Sequence, residues 1–122
     1  MEFELKTDKS NGRRAVNKPL TLLWMLGLYR ENGTTTFNFT ELEEALTEVI
    51  RQYTNRVNVR DPYWRLRNDG ILVFENEDEI VKDGSAGATI TSLRKYGTAR
   101  FSEEFFNYIS NPENLALYCE EI

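Results

Sequence analysis

The sequence predicts one mostly helical α+β domain that contains a β-hairpin and has a winged-helix-like order of elements. Three observations lead to this fold class. Two helical patterns occupy the first half of the 122-residue chain, a turn signal at 68–70 separates two short runs of strand-forming residues, and short helices follow. A buried helix, a second helix and a hairpin together give the outline of a winged helix.

Composition excludes several kinds of chemistry. The chain has no histidine and one cysteine, Cys119, so it cannot supply a histidine-based triad or a zinc site of histidine or thiolate ligands. We therefore predict a binding module without catalytic residues, metal or cofactor. The lone cysteine fits a reducing compartment, and no apolar run reaches the roughly 20 residues of a membrane span. These features predict a cytoplasmic protein without a membrane segment.

The first helix is expected from Asn17, which can cap it, with Pro19 in the first turn. Residues 20–28 are apolar on nearly all sides, which predicts a buried central helix, and Asn32-Gly33 should end it. A short strand is predicted at 34–39.

The second helix is expected from Thr40, which forms a capping-box pattern with Glu43. Its apolar stripe consists of Leu42, Ala45, Leu46, Val49, Ile50 and Tyr53. The glutamates on the other side are interpreted as a solvated face rather than as an acid–base pair.

The hairpin is predicted at 61–74, because Asp69-Gly70 is a strong turn signal between runs rich in aromatic and branched residues. A period of two would place Trp64 and Leu66 on one face and Arg65 and Arg67 on the other. Such a hairpin offers a cationic surface to an anionic partner, although a simple solvated hairpin explains the same pattern.

The remaining chain is predicted to contain a loop at 83–88 and short helices. One helix is expected at 91–96, closed by Gly97, another is capped by Ser102, and the last opens at Asn111-Pro112.

Charge is unevenly distributed, although the net charge is −5. Local potential decides where a polyanion binds, so one basic face would permit nucleic-acid binding. We expect residues 1–16 to be a flexible basic lead and residues 17–122 to be the DNA-binding module. The candidate DNA-binding residues are Arg13, Arg14, Lys18, Arg56, Arg60, Arg65, Arg67, Arg94 and Lys95. The alternative is a protein-interaction or adaptor domain that uses the acidic segment 75–83 and the glutamates of 41–48.

Two segments carry a resemblance to a known family. They are Asn17-Lys18-Pro19-Leu20-Thr21-Leu22-Leu23 and Asp61-Pro62-Tyr63-Trp64-Arg65-Leu66-Arg67-Asn68-Asp69-Gly70-Ile71. The chain resembles, over about residues 15–122, the N-terminal DNA sulfur-binding domain of phosphorothioate-dependent HNH (type IV) restriction endonucleases. No HNH motif is present here, since that motif needs histidines.

The resemblance implies an apolar pocket that accepts the sulfur of a phosphorothioate, with cations around it holding phosphates. By analogy, Pro62 would line the pocket, Asp61 and Tyr63 would flank it, and Lys18 would take the basic position. Asn17 and Asp61 depart from the residues frequent in the family, which are His and Tyr. The resemblance implies double-stranded phosphorothioate DNA as the partner, and a nuclease domain or partner protein that this module directs.

Overall fold

The structure is a computed structural model that describes residues 3–5, 16–83 and 87–122. The elements in chain order are α1 (Asn17–Asn32), β1 (Thr36–Asn38), α2 (Phe39–Arg51), α3 (Arg60–Arg65), β2 (Leu72–Phe74), a 3₁₀ helix (Glu77–Glu79), β3 (Lys82–Asp83), β4 (Gly87–Ala88), α4 (Ile90–Tyr96), β5 (Thr98–Phe101), α5 (Glu103–Ile109) and α6 (Pro112–Glu121). This confirms the predicted α+β class, with helices predominating. None of the helices in the described ranges is both long and apolar enough to cross a membrane.

Helix α1 runs through the core, as its composition predicts. Leu22, Met25 and Leu26 are completely buried. The helix ends where expected, because Gly33 has a φ of 71° and its N–H donates to the Tyr29 carbonyl. The prediction that Asn17 caps α1 is wrong: the helix begins at Asn17, after Val16, without a side-chain cap.

The N-cap of helix α2 lies two residues before Thr40, which the capping-box pattern indicates. Asn38 is its N-cap and accepts a hydrogen bond from the Thr40 N–H. The Thr40 hydroxyl instead donates to the Arg94 carbonyl, so the predicted Thr40–Glu43 capping box is not formed. Of the predicted apolar stripe, Leu42, Leu46 and Ile50 are buried, Val49 is half-buried, and Ala45 and Tyr53 are exposed.

A three-stranded antiparallel sheet has the order β1–β5–β2. Ala99 of β5 lies between Phe37 of β1 and Phe74 of β2. The sequence indicates β1 but not β5. Strand β5 lies between the Gly97 that closes α4 and the Ser102 that caps α5, so it resembles a connection between two helices. A separate antiparallel pair, β3–β4, lies on either side of residues 84–86. The prediction of a loop over 83–88 is therefore wrong at Asp83 and at Gly87–Ala88, which are paired strand.

The predicted first strand of the hairpin is wrong, because residues 60–65 form helix α3. Pro62 lies in the first turn, where its missing N–H costs no hydrogen bond, and its carbonyl accepts the Leu66 N–H. Gly70 has the expected positive φ, 75°, but it ends the turn that follows the helix instead of reversing a hairpin. Strand β2 therefore pairs with β5, which is distant in sequence.

The C-terminal helices begin at the predicted caps. Ser102 accepts the Phe105 N–H, and Asn111 accepts the N–H groups of Glu113 and Asn114. The N-terminal residues 3–5 also belong to this part of the fold. The Phe3 ring contacts Phe105, and the Tyr118 hydroxyl donates to the Phe3 carbonyl at 2.7 Å.

Candidate nucleic-acid interface

Helix α3 is attached to the sheet by a buried tyrosine. Tyr63 is fully buried, and its hydroxyl oxygen lies 2.6 Å from the Gly97 carbonyl oxygen and 3.2 Å from that of Phe37. Burial raises the pKa of the Tyr63 phenol well above its ordinary value, so the group stays a neutral hydrogen-bond donor. The position of α3 relative to the sheet is therefore set by a side chain that faces the core.

The start of α3 is held by Asn58 and Asp61. The Asn58 Oδ1 accepts the Asp61 N–H at 3.1 Å, and its Nδ2 donates to the Asp61 carboxylate at 2.9 Å. The same carboxylate lies 3.4 Å from the Arg60 Nε. The negative charge of Asp61 is thus bound by the Asn58 amide in the first turn of α3 and is offset by an adjacent cation, which reduces its repulsion of a phosphate.

Asn17 connects the start of α1 to the segment before α3. Its Oδ1 accepts the Asn58 N–H at 3.2 Å, and its Nδ2 donates to the Arg56 carbonyl at 2.9 Å. Both ends of one carboxamide are therefore bound to the backbone of residues 56–58. The segment 54–58 is held beside α1 and α3 as a result.

Lys18 is the predicted basic residue of the site, and it is buried with Asp69. The distance between the Lys18 Nζ and the Asp69 Oδ2 is 2.5 Å, and the Asp69 side chain has no exposed surface. A cation that is paired in this way offers little net charge to a phosphate. The pair connects α1 to the turn after α3.

The other arginines near α3 differ in exposure. Arg65 and Arg56 are exposed, Arg60 is half-exposed, and Arg67 is half-buried with its guanidinium carbon 4.0 Å from the Trp64 ring centroid. Arg56, Arg60 and Arg65 are therefore accessible cations in the stretch that leads into α3 and forms it. Asp61 is half-buried next to them, and Pro62 is buried.

Arg94 and Lys95 lie at a different junction, between α4 and α2. The Arg94 guanidinium makes two 3.0 Å hydrogen bonds to the Glu43 carboxylate. Lys95 is exposed, with its Nζ 5.2 Å from the Tyr96 ring centroid. The predicted residues Arg13 and Arg14 lie outside the described residues.

Sequence reasoning missed the structural use of Asn17, Asn58 and Asp69. The Asn58–Asp61 contact is local, because an Asx side chain can bond to the backbone N–H a few residues later in the chain, as Asn58 does with Asp61. The contacts of Asn17 and Asp69 have no local signal, since their partners are far away along the chain. Within the described ranges, no cluster of His, Cys, Asp and Glu side chains is suited to bind a metal ion.

The chain was compared with known families and proteins. The family described as "ScoMcrA-like, DNA sulfur-binding domain" matches residues 3–115. A search of curated proteins gave no match.

Solved structures share the fold. The sulfur-binding domain of ScoMcrA in complex with phosphorothioated DNA has a TM-score of 0.84 and 20% identity, covering 98% of this chain and 80% of that one. A structure of the ScoMcrA sulfur-binding and SRA domains with phosphorothioated DNA has a TM-score of 0.76 and 20% identity, covering 90% and 36%. The type IV phosphorothioation-dependent restriction endonuclease ScoMcrA has a TM-score of 0.70 and 24% identity, covering 81% of this chain and 20% of the endonuclease.

Proposed function

The chain belongs to the family of ScoMcrA-like DNA sulfur-binding domains, and from this premise we propose that it binds double-stranded DNA carrying a phosphorothioate in its backbone. The observation that carries the proposal is the family match across residues 3–115, nearly the whole described fold. The members of this family are described as DNA-binding domains, which is consistent with a binding module rather than an enzyme.

The accessible cations around α3 support a DNA-binding surface at this helix. Arg56, Arg60 and Arg65 belong to one short stretch that starts before α3 and ends with it. Cations grouped in this way attract a phosphate backbone even when the whole chain is acidic. We propose these three arginines as the principal phosphate contacts, with Arg67 and Lys95 as secondary ones.

We propose that Pro62, which is buried in the first turn of α3, forms the apolar base of the pocket that meets the sulfur. A thiophosphate sulfur is larger and more weakly hydrated than the oxygen it replaces, so contact with an apolar ring favours it, while nearby cations hold the negative charge. In this scheme Asp61 and Tyr63 act through the placement of α3. Asp61 is bonded to Asn58 in the first turn of α3, and the Tyr63 side chain lies in the core.

A nuclease activity would reside in another domain or in a partner protein. The chain has no histidine for an HNH centre, and it aligns with one fifth of the ScoMcrA endonuclease chain. We propose that the module directs such a nuclease to modified DNA in the cytoplasm, with residues 17–122 as the binding unit and the basic residues before them as an additional phosphate contact.

Fluorescence anisotropy tests the proposal directly. Two duplexes of one sequence are titrated, one with a single phosphorothioate and one with an ordinary backbone, in a series of sequences that surround the modified linkage. We expect tighter binding of the modified duplex in at least one sequence context. Equal affinities throughout would leave a general DNA-binding domain, and no binding at low salt would favour the protein-interaction alternative based on the acidic residues.

Substitution of Pro62 separates sulfur contact from general electrostatics. In Pro62→Ala, we expect the preference for modified over plain DNA to fall while the affinity for plain DNA and its salt dependence stay near those of the unsubstituted chain. Arg65→Ala is the matched control, since loss of a phosphate contact should weaken both duplexes and reduce the salt slope by about one. A parallel loss of melting temperature and of both affinities in Pro62→Ala would contradict a sulfur contact.

A further inference from the structure

We infer that the segment 54–58 is a DNA-backbone contact in its own right, and that Asn17 is the positioning residue that presents its Arg56 to the phosphates. This inference rests on the proposed function, because it assigns a further contact to the same DNA-binding surface. It is carried by the hydrogen bonds around a segment that lies between two helices.

Three hydrogen-bonded sites hold the segment. At its start, the Thr54 N–H donates to the Ile50 carbonyl at 3.1 Å, which continues the end of α2. At its end, Asn58 is joined to Asp61 at the start of α3. Between these ends, the Asn17 carboxamide binds the backbone on both sides of Val57, at Arg56 and Asn58.

The backbone of the segment is thereby held in one conformation, while the side chains of Asn55 and Arg56 remain available to a ligand. Val57 packs partly against the core, whereas Asn55 and Arg56 are exposed. The Arg56 N–H also donates to the Thr54 hydroxyl at 3.1 Å, which closes a local turn. A cation on a fixed backbone loses less conformational entropy on binding than one on a flexible loop.

The charge environment of the segment fits an anionic group such as a backbone phosphate. Among the residues that the structure describes, no acidic side chain pairs with Arg56, and the neighbouring acid, Asp61, is occupied by Asn58 and Arg60. The chemistry of the segment is therefore one exposed guanidinium with neighbouring amide and hydroxyl groups. This composition is typical of contacts to the sugar–phosphate backbone, which set the position of a protein on DNA without reading bases.

Asn17 has no aliphatic stem long enough to contribute much packing, and its polar atoms are used on the segment backbone. Its effect on DNA should therefore pass through Arg56. A direct contact of Asn17 with DNA and a purely structural role of Asn17 are the two competing explanations, and they give different results in the same set of variants.

The test uses Asn17→Ala, Arg56→Ala, the double variant and Asn111→Ala. Asn111 provides a matched control, because its side chain also bonds two backbone groups, but at the start of α6. Each protein is titrated with modified and plain duplexes at several salt concentrations, and each melting temperature is measured. We expect Arg56→Ala to weaken both duplexes about tenfold and to reduce the salt slope by about one.

The expected signature is non-additivity. Asn17→Ala should weaken both duplexes in the same proportion and reduce the salt slope, and the double variant should bind like Arg56→Ala alone within about twofold. Asn17→Ala and Asn111→Ala should each lower the melting temperature by a few degrees. Asn111→Ala should do so without weakening DNA binding.

Several outcomes would overturn the inference, and they differ from failure of the proposed function. A double variant about 100-fold weaker would show that Asn17 contacts DNA independently. If the Asn17→Ala protein binds DNA as well as the Asn111→Ala protein, the hydrogen bonds of Asn17 have a purely structural role. If Arg56→Ala leaves DNA affinity unchanged, Arg56 does not contact DNA. The unsubstituted chain reports on the proposed function separately, through its preference for the modified duplex. If that chain binds neither duplex, both proposals fail.

Discussion

At the scale of the residue, Lys18 shows how a side chain with an expected binding role can be part of the core. Its ammonium group is paired with Asp69, whose side chain is fully buried. Because both charges lose their hydration, such a pair adds little to the free energy of unfolding compared with a pair of apolar residues. Removal of one partner, however, strongly destabilises the fold, because the other charge stays buried without a partner. The residue at the basic position suggested by the family resemblance thus also joins α1 to the turn after α3.

We expect Lys18→Ala to lower the free energy of unfolding by about 3–5 kcal/mol, because it leaves the Asp69 carboxylate buried without its cation. Lys18→Met with Asp69→Leu should recover much of this loss, since no charge remains buried. Urea denaturation of the single and double variants measures both changes. A loss below about 1 kcal/mol in Lys18→Ala would mean that the pair is solvated in solution.

At the scale of the element, α3 depends on a specific start and a specific end. Asn58 and Asp61 satisfy polar groups at its beginning, and Gly70 ends the turn that follows it with a φ of 75°. The Gly70 carbonyl accepts the Ser102 hydroxyl at 2.6 Å, which joins this turn to the cap of α5. Placement of Pro62 and Arg65 thus depends on backbone conformation at both ends of α3.

We expect Gly70→Ala to lower the free energy of unfolding by about 1–2 kcal/mol through backbone conformation alone, because a Cβ there meets no atom within 4 Å. Gly27→Ala is the matched control. Its added Cβ also meets nothing within 4 Å, but Gly27 lies inside α1, so we expect a gain of about 0.5–1 kcal/mol.

Thermal and urea unfolding of the Gly70→Ala and Gly27→Ala variants should therefore give opposite signs. The same sign in both variants would contradict the requirement for a positive φ at Gly70. The effect on DNA binding can be followed in parallel, since a displaced turn would move the end of α3.

At the scale of the whole molecule, two buried phenols join distant parts of the chain. Tyr63 connects α3 to β1 and to Gly97, and Tyr118 connects α6 to Phe3. Burial raises the pKa of both phenols above the ordinary value, and the nearby Asp69 carboxylate adds to the effect at Tyr118. The folded chain therefore keeps two protons that the unfolded chain releases near pH 10.

The sign of the pH dependence follows from linkage. Because the folded-state pKa is raised, the stabilisation is complete below pH 10 and is lost as the pH rises above it. At pH 11 we expect each phenol to reduce the free energy of unfolding by about 1 kcal/mol relative to pH 9. Urea denaturation at both pH values tests this, and Tyr118→Phe should show a smaller decrease. An unchanged decrease in Tyr118→Phe would assign the alkaline sensitivity to other groups.

Sequence alone determined the features that depend on neighbouring residues. The end of α1 at Gly33, the caps of α5 and α6 and the positive φ of Gly70 each follow from the local chemistry of a few adjacent side chains and backbone groups. The motif at 61–71 also indicated the family that the match over residues 3–115 confirms.

Only the tertiary structure decided the features whose partners are distant in sequence. The alternation at 63–67 fits a strand by itself, but in the fold residues 60–65 are a helix whose Tyr63 hydroxyl bonds to the carbonyls of Phe37 and Gly97. Strand β5 obtains its hydrogen-bond partners from β1 and β2, which are distant in sequence. Likewise, the sequence does not predict whether Lys18 and Asn17 are exposed or buried. Their partners, Asp69 and the backbone of residues 56–58, are adjacent only in the folded chain. The physical reason is that local propensities differ by little more than 1 kcal/mol, whereas burial and pairing of side chains in the folded core contribute several times as much.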